Sequence, residues 1–165
     1  MIETRADCSR CHALCCVVPP FDAVQGFAED KPAHQACRHL QADFRCSLHE
    51  DLPGHGYPGC AAYDCLGAGP QLLRRLPGPP WSAQADPRAL FDAFLLQRRV
   101  HAQYALVDLA LQRLPDDAEG VALKARLVQA AEAGASAIEV GLLEAASRRW
   151  LRSLSSRWAA PPSEA

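Results

Sequence analysis

All eight cysteines of this 165-residue chain lie between positions 8 and 65, and the remaining hundred residues contain none. Five of the six histidines fall in the same segment. A segment this rich in thiols is either crosslinked by disulfides or built around metal ions. The cysteines are Cys8, Cys11, Cys15, Cys16, Cys37, Cys46, Cys60 and Cys65. The choice between disulfides and metal therefore decides most of what the chain can fold into and do.

The compartment that we expect for the chain favours metal. Residues 1–7 contain no apolar stretch of the kind found in a secretion signal. No run approaches the roughly 18 apolar residues that a membrane span needs. We therefore expect a cytoplasmic protein, in which thiols stay reduced. Structural or regulatory disulfides are the lesser alternative.

Thiolates are soft ligands that select zinc, iron–sulfur clusters or cuprous ions. Cys8 and Cys11 form a C-x2-C turn, which can present two sulfurs to one metal. Neighbouring side chains usually diverge, so adjacent Cys15 and Cys16 either serve different metals or include one structural thiol. Eight thiolates would complete two tetrathiolate sites. Zn²⁺ and an oxidised four-iron core both carry +2, so charge does not separate them.

A core of apolar side chains is scarce in the cysteine segment. Residues 8–69 contain few large aliphatic side chains, and a segment shorter than about 70 residues rarely folds on its core alone. Structural zinc can contribute roughly 10 kcal/mol or more to such a fold. We expect all eight cysteines to be metal ligands whose coordination replaces the missing core.

The cysteine segment resembles the CxxCxxxCC cysteine-cluster proteins, a YkgJ-like zinc- or iron-chelating domain. The resemblance covers about residues 8–66. It starts with the cysteines at positions 8, 11, 15 and 16. It continues through Cys37-x2-Leu40, Cys46-Ser47-Leu48-His49 and Cys60-x2-Tyr63-Asp64-Cys65. Where that family often has an Arg-Pro pair, this chain has Leu52-Pro53 and a glycine-rich insertion. The resemblance implies metal chelation and supplies no reaction.

The pattern predicts a mostly α protein with three parts. Residues 1–76 form a small irregular cysteine module of loops with short strands or helices, closed by Gly67 and Gly69. For residues 37–49, two short strands and a loop with one strand are equally compatible with the pattern. Residues 77–85 form a proline-rich linker, and residues 86–160 form a helical region.

Three helices are predicted in the helical region. The first starts after Asp86 and runs to about Leu114, the second starts at Asp116 and ends at Gly134, and a capping box at Ser136 starts the third. The first helix carries two apolar rows, which implies burial against more than one partner. These rows are Phe91, Leu95, Ala102, Leu106 and Leu109, and Leu96, Val100, Val107, Leu111 and Leu114. The third carries Leu143, Ala146, Trp150, Leu154 and Trp158 on one face.

Residues outside the thiol set give weaker signals. His12, His39 and His49 lie close to cysteines and are interpreted as polar groups that support the ligands. Tyr63 and Asp64 are interpreted as packing and turn residues. A lone histidine in the first helix, His101, is expected to be hydrogen-bonded or exposed. The remaining signals are His34 and His55 as solvated loop residues, and Arg148, Arg149, Arg152 and Arg157 as cations suited to a helix C-terminus.

Taken together, the residues predict a metal-binding protein that chelates zinc or iron, including iron–sulfur clusters, and they assign no catalytic residue. Its partners are metal ions, together with a partner protein or a second copy that docks on the C-terminal helices. A formal charge of −2 gives no reason to expect a membrane surface or nucleic acid as partner. The alternative is an iron–sulfur redox enzyme or electron carrier, because eight cysteines suit two four-iron clusters.

Overall fold

The computed structural model describes the backbone of residues 1–158 and the side chains of residues 1–154. This part of the chain is mostly helical, which confirms the predicted fold class. Its α-helices are α1 (Leu14–Val17), α2 (Pro58–Ala62), α3 (Ala68–Arg75), α4 (Arg88–Leu111), α5 (Ala118–Ala133) and α6 (Ala137–Trp158). Short 3₁₀ turns lie at Cys8–Arg10, Ala23–Gln25, His49–Asp51 and Trp81–Ala83. No described helix is both long enough and apolar enough to cross a membrane.

The chain divides into two compact units, and the division falls within α4. One unit comprises Glu3–Arg98, and the other comprises Met1–Ile2 with residues from Arg99 onward. The first unit therefore contains all eight cysteines and the first half of α4. The second contains the rest of α4 together with α5 and α6.

The core of the first unit joins the cysteine segment to helices that follow it. Leu14, Val17 and Val18 from the α1 region are almost completely buried. They pack in one cluster with Ala68 and Leu72 of α3 and with Leu90, Phe91 and Phe94 of α4. A second, smaller cluster is formed by Phe21, Cys37 and Tyr57. Apolar groups from outside residues 8–66 thus complete the core that this segment lacks.

Two local predictions for the first unit need correction. Within residues 37–49 the only described pairing of extended backbone is an isolated bridge between Leu40 and Cys46, so neither predicted strand arrangement forms. Gly67 does not close the module but precedes α3, which the pattern did not predict. Its φ of +72° suits glycine, and a Cβ there would overlap the carbonyl oxygen of Glu3.

Helix α4 ends at Leu111 and not near Leu114, and only part of its apolar surface is buried. The buried positions are Leu90, Phe91, Phe94, Val100, Tyr104, Val107, Ala110 and Leu111. By contrast, Leu95, Leu106 and Leu109 are 39%, 49% and 62% exposed. These three residues are therefore not covered within the single chain, and the burial of their row against a further partner stays a prediction. His101 is completely buried.

The second unit is built by ordinary helix packing and capping. The cap of α5 is Asp117 and not Asp116, and its side chain accepts hydrogen bonds from the backbone N–H of Gly120 and from Nε1 of Trp150. The predicted capping box of α6 is confirmed, because Ser136 and Glu139 exchange hydrogen bonds. Leu143, Trp150 and Leu154 are buried as predicted, whereas Ala146 is half-buried. The side chains of Arg157 and Trp158 lie outside the described residues.

Replacing Gly120 with alanine should destabilise the protein, although alanine is the better helix former. A Cβ on Gly120 would overlap the ring of Trp150 and approach Cδ2 of Leu111 to 2.9 Å. Overpacking of this kind costs about 1–3 kcal/mol. The matched control is Gly141→Ala in α6, where nothing lies within 4 Å of the added atom. That variant should gain about 0.5–1 kcal/mol. Chemical denaturation of both variants measures the difference, and equal effects would contradict the packing.

The ion pair between Arg99 and Glu144 should make stability depend on pH. Two hydrogen bonds of 2.8 Å join the guanidinium to the carboxylate and lower the pKa of Glu144. A carboxyl whose pKa is lowered by folding contributes stability above its unfolded pKa, and this contribution is lost as the pH falls through the lower folded value. Because Arg99 is partly exposed, solvent screening limits the contribution to about 0.5–1 kcal/mol.

Glu144→Gln should therefore lose that stability at pH 7, and the deficit should shrink as the pH falls below about 4. Denaturation curves between pH 3 and pH 7 measure it. The control is Glu132→Gln, an exposed position on α5. A deficit that is the same at both ends of the range would show that the charge of Glu144 is not its cause.

Candidate metal centre

The short helix α1 divides its residues between two faces. Leu14 and Val17 are buried in the apolar core, while Cys15 and Cys16 lie on the opposite side and are half-buried. Their Sγ atoms are 3.9 Å apart, so these neighbouring side chains do not diverge. Pro19 and Pro20 follow the helix at once and prevent its extension. This helical turn therefore buries its apolar side chains in the core and places its two thiols next to each other on the opposite side.

A first group of thiols gathers around Cys15. Its members influence one another electrostatically: burial, with smaller contributions from Cys15, Cys65 and Cys8, raises the pKa of Cys11 to about 12. Burial, then Cys15 and Cys65, also raise the pKa of Cys8. The same pattern, burial first and Cys15 next among the thiols, raises the pKa of Cys65. We call Cys8, Cys11, Cys15 and Cys65 the first thiol group.

Local structure brings the first thiol group together. The side chain of Asp7 caps the 3₁₀ turn that carries Cys8 by accepting a hydrogen bond from the backbone N–H of Ser9, and Cys11 ends that turn. Helix α3 approaches Cys11 closely at Gly69, where a Cβ would lie 2.6 Å from the sulfur. Glycine at position 69 is therefore needed for the close approach between Cys11 and this helix.

A second group of thiols lies around the small cluster of Phe21 and Tyr57. Burial, with smaller contributions from Cys37, Cys46 and then Cys15, raises the pKa of Cys60 to about 11. The pKa of Cys37 is raised by burial and by Cys46. Cys16 joins them through packing against the same cluster. A backbone hydrogen bond of 3.0 Å also links Cys37 to Cys16. We call Cys16, Cys37, Cys46 and Cys60 the second thiol group.

The two groups adjoin at Cys15 and Cys16, and all eight thiols are free. Among the described residues, no three His, Cys, Asp or Glu side chains stand in an arrangement that could hold a metal ion as they are. The structure therefore brings the eight predicted residues into two neighbourhoods without forming a coordination shell. The raised pKa values of Cys11, Cys60 and Cys65 favour the protonated thiol, and metal binding requires the thiolate.

The histidines divide into those near the thiols and those in solvent. Nδ1 of His12 is buried and has no hydrogen-bond partner among the described atoms, while its ring contacts that of Phe44. His49 and His55 are exposed. His34 is also exposed, and its ring approaches that of Phe91. Among the described residues, His12 and His39 are the histidines with contacts beside the thiol groups.

A hydrogen-bonded cluster beside the second thiol group was not predicted. Tyr57 is 2% exposed, and its hydroxyl donates to Glu29 at 2.8 Å. The same hydroxyl lies 3.2 Å from Nε2 of His39, and Arg38 pairs with Glu29 at 3.1 Å. Burial and the hydrogen bond to Glu29 raise the pKa of Tyr57. The cluster ties the Glu29 loop to the chain around Cys37 and Cys60.

Two aromatic residues, Trp81 and Tyr63, pack near the first thiol group. Trp81, within the predicted linker, is half-buried, packs against the first apolar cluster and donates a hydrogen bond of 2.7 Å to the carbonyl of His12. Tyr63 is covered by the guanidinium of Arg98 at 4.8 Å from its ring centre, which agrees with a packing role. Asp64 accepts a hydrogen bond from the backbone N–H of Leu66 and makes the predicted turn.

Comparison with known proteins yields one curated relative. The chain is 38% identical over 101 residues to the uncharacterised protein YybG of Bacillus subtilis strain 168. The match covers 60% of this chain and 36% of the relative, so the chain spans little more than a third of that protein. No family model matches the chain. No solved structure matches it either.

Trp81→Phe tests the anchor at the first thiol group. Phenylalanine keeps much of the ring packing but removes the donor, which leaves the carbonyl of His12 without this bond. We expect a loss of about 1 kcal/mol in the free energy of unfolding, against about 3–5 kcal/mol for Trp81→Ala. Urea denaturation measures both. Equal losses would show that the hydrogen bond, and not the ring, carries the contribution of Trp81.

Proposed function

We propose that the chain is a metal-binding protein that holds zinc or iron through its eight cysteine thiolates, four at each of two adjacent centres. The observation that carries the proposal is the gathering of the cysteines into the two thiol groups, each with the four soft ligands that a tetrahedral site takes. The resemblance of the segment to the CxxCxxxCC cysteine-cluster proteins supports it as well.

The energetics of the first unit also favour metal. Eight thiols packed together offer little hydrophobic stabilisation, and several are kept protonated by burial and by one another. Metal binding removes the protons and replaces repulsion between thiolates with attraction to a cation. The same step would draw each thiol group into a coordination shell.

Ligand chemistry limits the proposed metal to zinc or an iron–sulfur cluster. Four thiolates suit both a structural zinc ion and a four-iron cluster. Two thiolates on one tetrahedral zinc ion, with bonds of about 2.3 Å, lie about 3.8 Å apart. Cys15 and Cys16 already have nearly this separation, at 3.9 Å. This separation would also allow both cysteines to bind one ion, whereas the proposed division gives one cysteine to each centre and so makes the two centres neighbours.

The second candidate is an iron–sulfur redox enzyme or electron carrier. The specific observation in its favour is again the division into two sets of four thiols, each of which is the ligand set of a four-iron cluster. Protein purified without oxygen would then be brown, would contain acid-labile sulfide and would be bleached by dithionite. A colourless protein with zinc and no sulfide would exclude this candidate.

The helical region is proposed to dock a partner protein or a second copy of the chain. Large apolar side chains are exposed on its helices, including Leu106 and Leu109 on α4 and Ile138 and Leu142 on α6. Sedimentation of the full chain separates a dimer from a monomer. The metal proposal does not depend on this result.

Serine substitutions test the two centres. Cys11→Ser removes a thiolate from the first thiol group and Cys60→Ser removes one from the second. Each single variant should lose about half of the bound metal, and the double variant should lose nearly all of it. Elemental analysis and an acid-labile sulfide assay on anaerobically purified protein measure this. The control is Val24→Ser, at a position that is 94% exposed.

The metal contents of these variants distinguish two four-cysteine centres from other arrangements. Full occupancy in either single variant would show that the substituted cysteine is not a ligand. Complete metal loss in each single variant would mean one shared centre and not two. Wild-type protein that is metal-free yet folded in reducing buffer would refute the proposed function itself.

A further inference from the structure

Lys31 is a buried cation that is not one of the proposed metal ligands. Lys31 is 6% exposed. The chain contains one other lysine, Lys124. Among the described residues, no carboxylate forms an ion pair with Lys31. Burying a charged group without a counter-ion is costly. A buried ammonium of this kind requires an explanation.

Backbone carbonyls surround the ammonium of Lys31 and fix its position. Nζ donates to the carbonyl oxygens of Pro19 and Gln35 at 2.8 Å, of Pro32 at 3.1 Å and of Val17 at 3.2 Å. It also lies 4.6 Å from the ring centre of Phe21. These neutral groups satisfy the three N–H donors of the ammonium, but they do not neutralise its charge.

The same contacts place the ammonium beside the second thiol group. Val17 directly follows Cys16, and Gln35 lies two residues before Cys37, so the hydrogen bonds of Lys31 join the two chain segments that carry these cysteines. The ring of Phe21, over which the ammonium lies, belongs to the apolar cluster that packs against Cys16 and Cys60. Burial lowers the pKa of Lys31, and Cys37, Cys16 and Cys60 oppose that effect through their charge. The groups whose negative charge would act on Lys31 are thus cysteines of the second thiol group, once they ionise.

We propose that Lys31 is the internal counter-cation of the second thiol group, a positioning residue whose fixed charge strengthens metal binding at that centre and not at the first. This inference rests on the proposed function. Four thiolates around a divalent metal carry a net charge of −2, and Lys31 offsets half of it inside the protein. The first thiol group has no corresponding buried lysine, so the two centres should differ in affinity.

The test separates the two centres within one molecule. The full chain is stripped with a chelator under reducing, oxygen-free conditions, and Zn²⁺ is added back in competition with a chromophoric chelator. In the Cys11→Ser background only the second thiol group is complete, and Lys31→Gln should weaken zinc binding by about 10- to 100-fold, as loss of a supporting group typically does. In the Cys60→Ser background, where only the first group is complete, the same substitution should change affinity less than about threefold.

Matched variants separate charge from structure. Glutamine keeps amide donors for the carbonyls but removes the charge, whereas Lys31→Arg keeps the charge and should retain most of the affinity of the second centre. Lys124→Met removes the other lysine, which lies in α5, and should leave both centres unchanged. If Lys31→Gln fails to fold even with zinc, Lys31→Arg replaces it: affinity close to that of wild type is expected in both backgrounds, and equal weakening in both would overturn the inference.

Several results would overturn the inference. Equal weakening at both centres would mean that Lys31 only holds the fold, and no weakening at the second centre would mean that its charge is not felt there. Loss of affinity in Lys31→Arg equal to that in Lys31→Gln would likewise assign the effect to packing. If the wild-type chain takes up no Zn²⁺ and no iron, the proposed function fails and this inference with it. If the wild-type chain binds metal normally and only the Lys31 comparison fails, the proposed function stands.

Discussion

The first unit depends on the single helical turn α1, whose apolar side chains pack in the core and whose opposite face carries two thiols. Leu14, Val17 and Val18 are buried against α3 and α4, and this packing fixes the direction of Cys15 and Cys16. Because helical residues three and four apart share a face, the apolar residues at 14, 17 and 18 leave positions 15 and 16 on the other side. The apolar pattern of this turn, and not any property of the thiols, therefore brings two of them together.

Other local features of the structure position further cysteines near this pair. Cys11 is admitted by the absence of a side chain at Gly69, and Cys65 precedes the left-handed residues Leu66 and Gly67. Cys37 is held to Cys16 by a backbone hydrogen bond and by the carbonyls around Lys31. These devices are local and polar, and none of them removes the mutual repulsion that eight ionised thiols would suffer. Under the proposed function a bound metal cation would offset that repulsion when the thiols lose their protons, which links the fold of this unit to the proposal.

The sequence predicted the helical part more completely than the cysteine part. Helices α5 and α6 followed from capping residues and apolar spacing, with an error of one residue at Asp117, because these signals act over three or four positions. The exposure of Leu106 and Leu109 in the single chain was not predicted, since apolar spacing does not show which side of a helix other elements cover. The absence of strands near Leu40 was not foreseen, because weak alternation there is equally compatible with turns.

The three residues that support the thiols were missed for a common reason. Lys31, Tyr57 and Trp81 stand in segments rich in proline or glycine, which mark turns and linkers but give no information on burial. Each is buried or half-buried through contacts with residues distant in sequence, such as the hydrogen bond from Trp81 to His12. The rarity of lysine in a chain rich in arginine was the one available signal for Lys31. A lysine is a compact point charge on a flexible stem, while the planar guanidinium is larger.

The two units therefore rely on different forces. The second unit is held by buried apolar side chains, helix caps and the ion pair of Arg99 with Glu144, all of which are present in the chain itself. The first unit spreads a similar number of buried apolar side chains over a longer stretch of chain, and it also contains the eight thiols and the buried Lys31. Its stability should thus respond to metal and to the redox state of the thiols far more than that of the second unit. This difference agrees with the proposed function, in which bound metal stabilises the first unit and not the second.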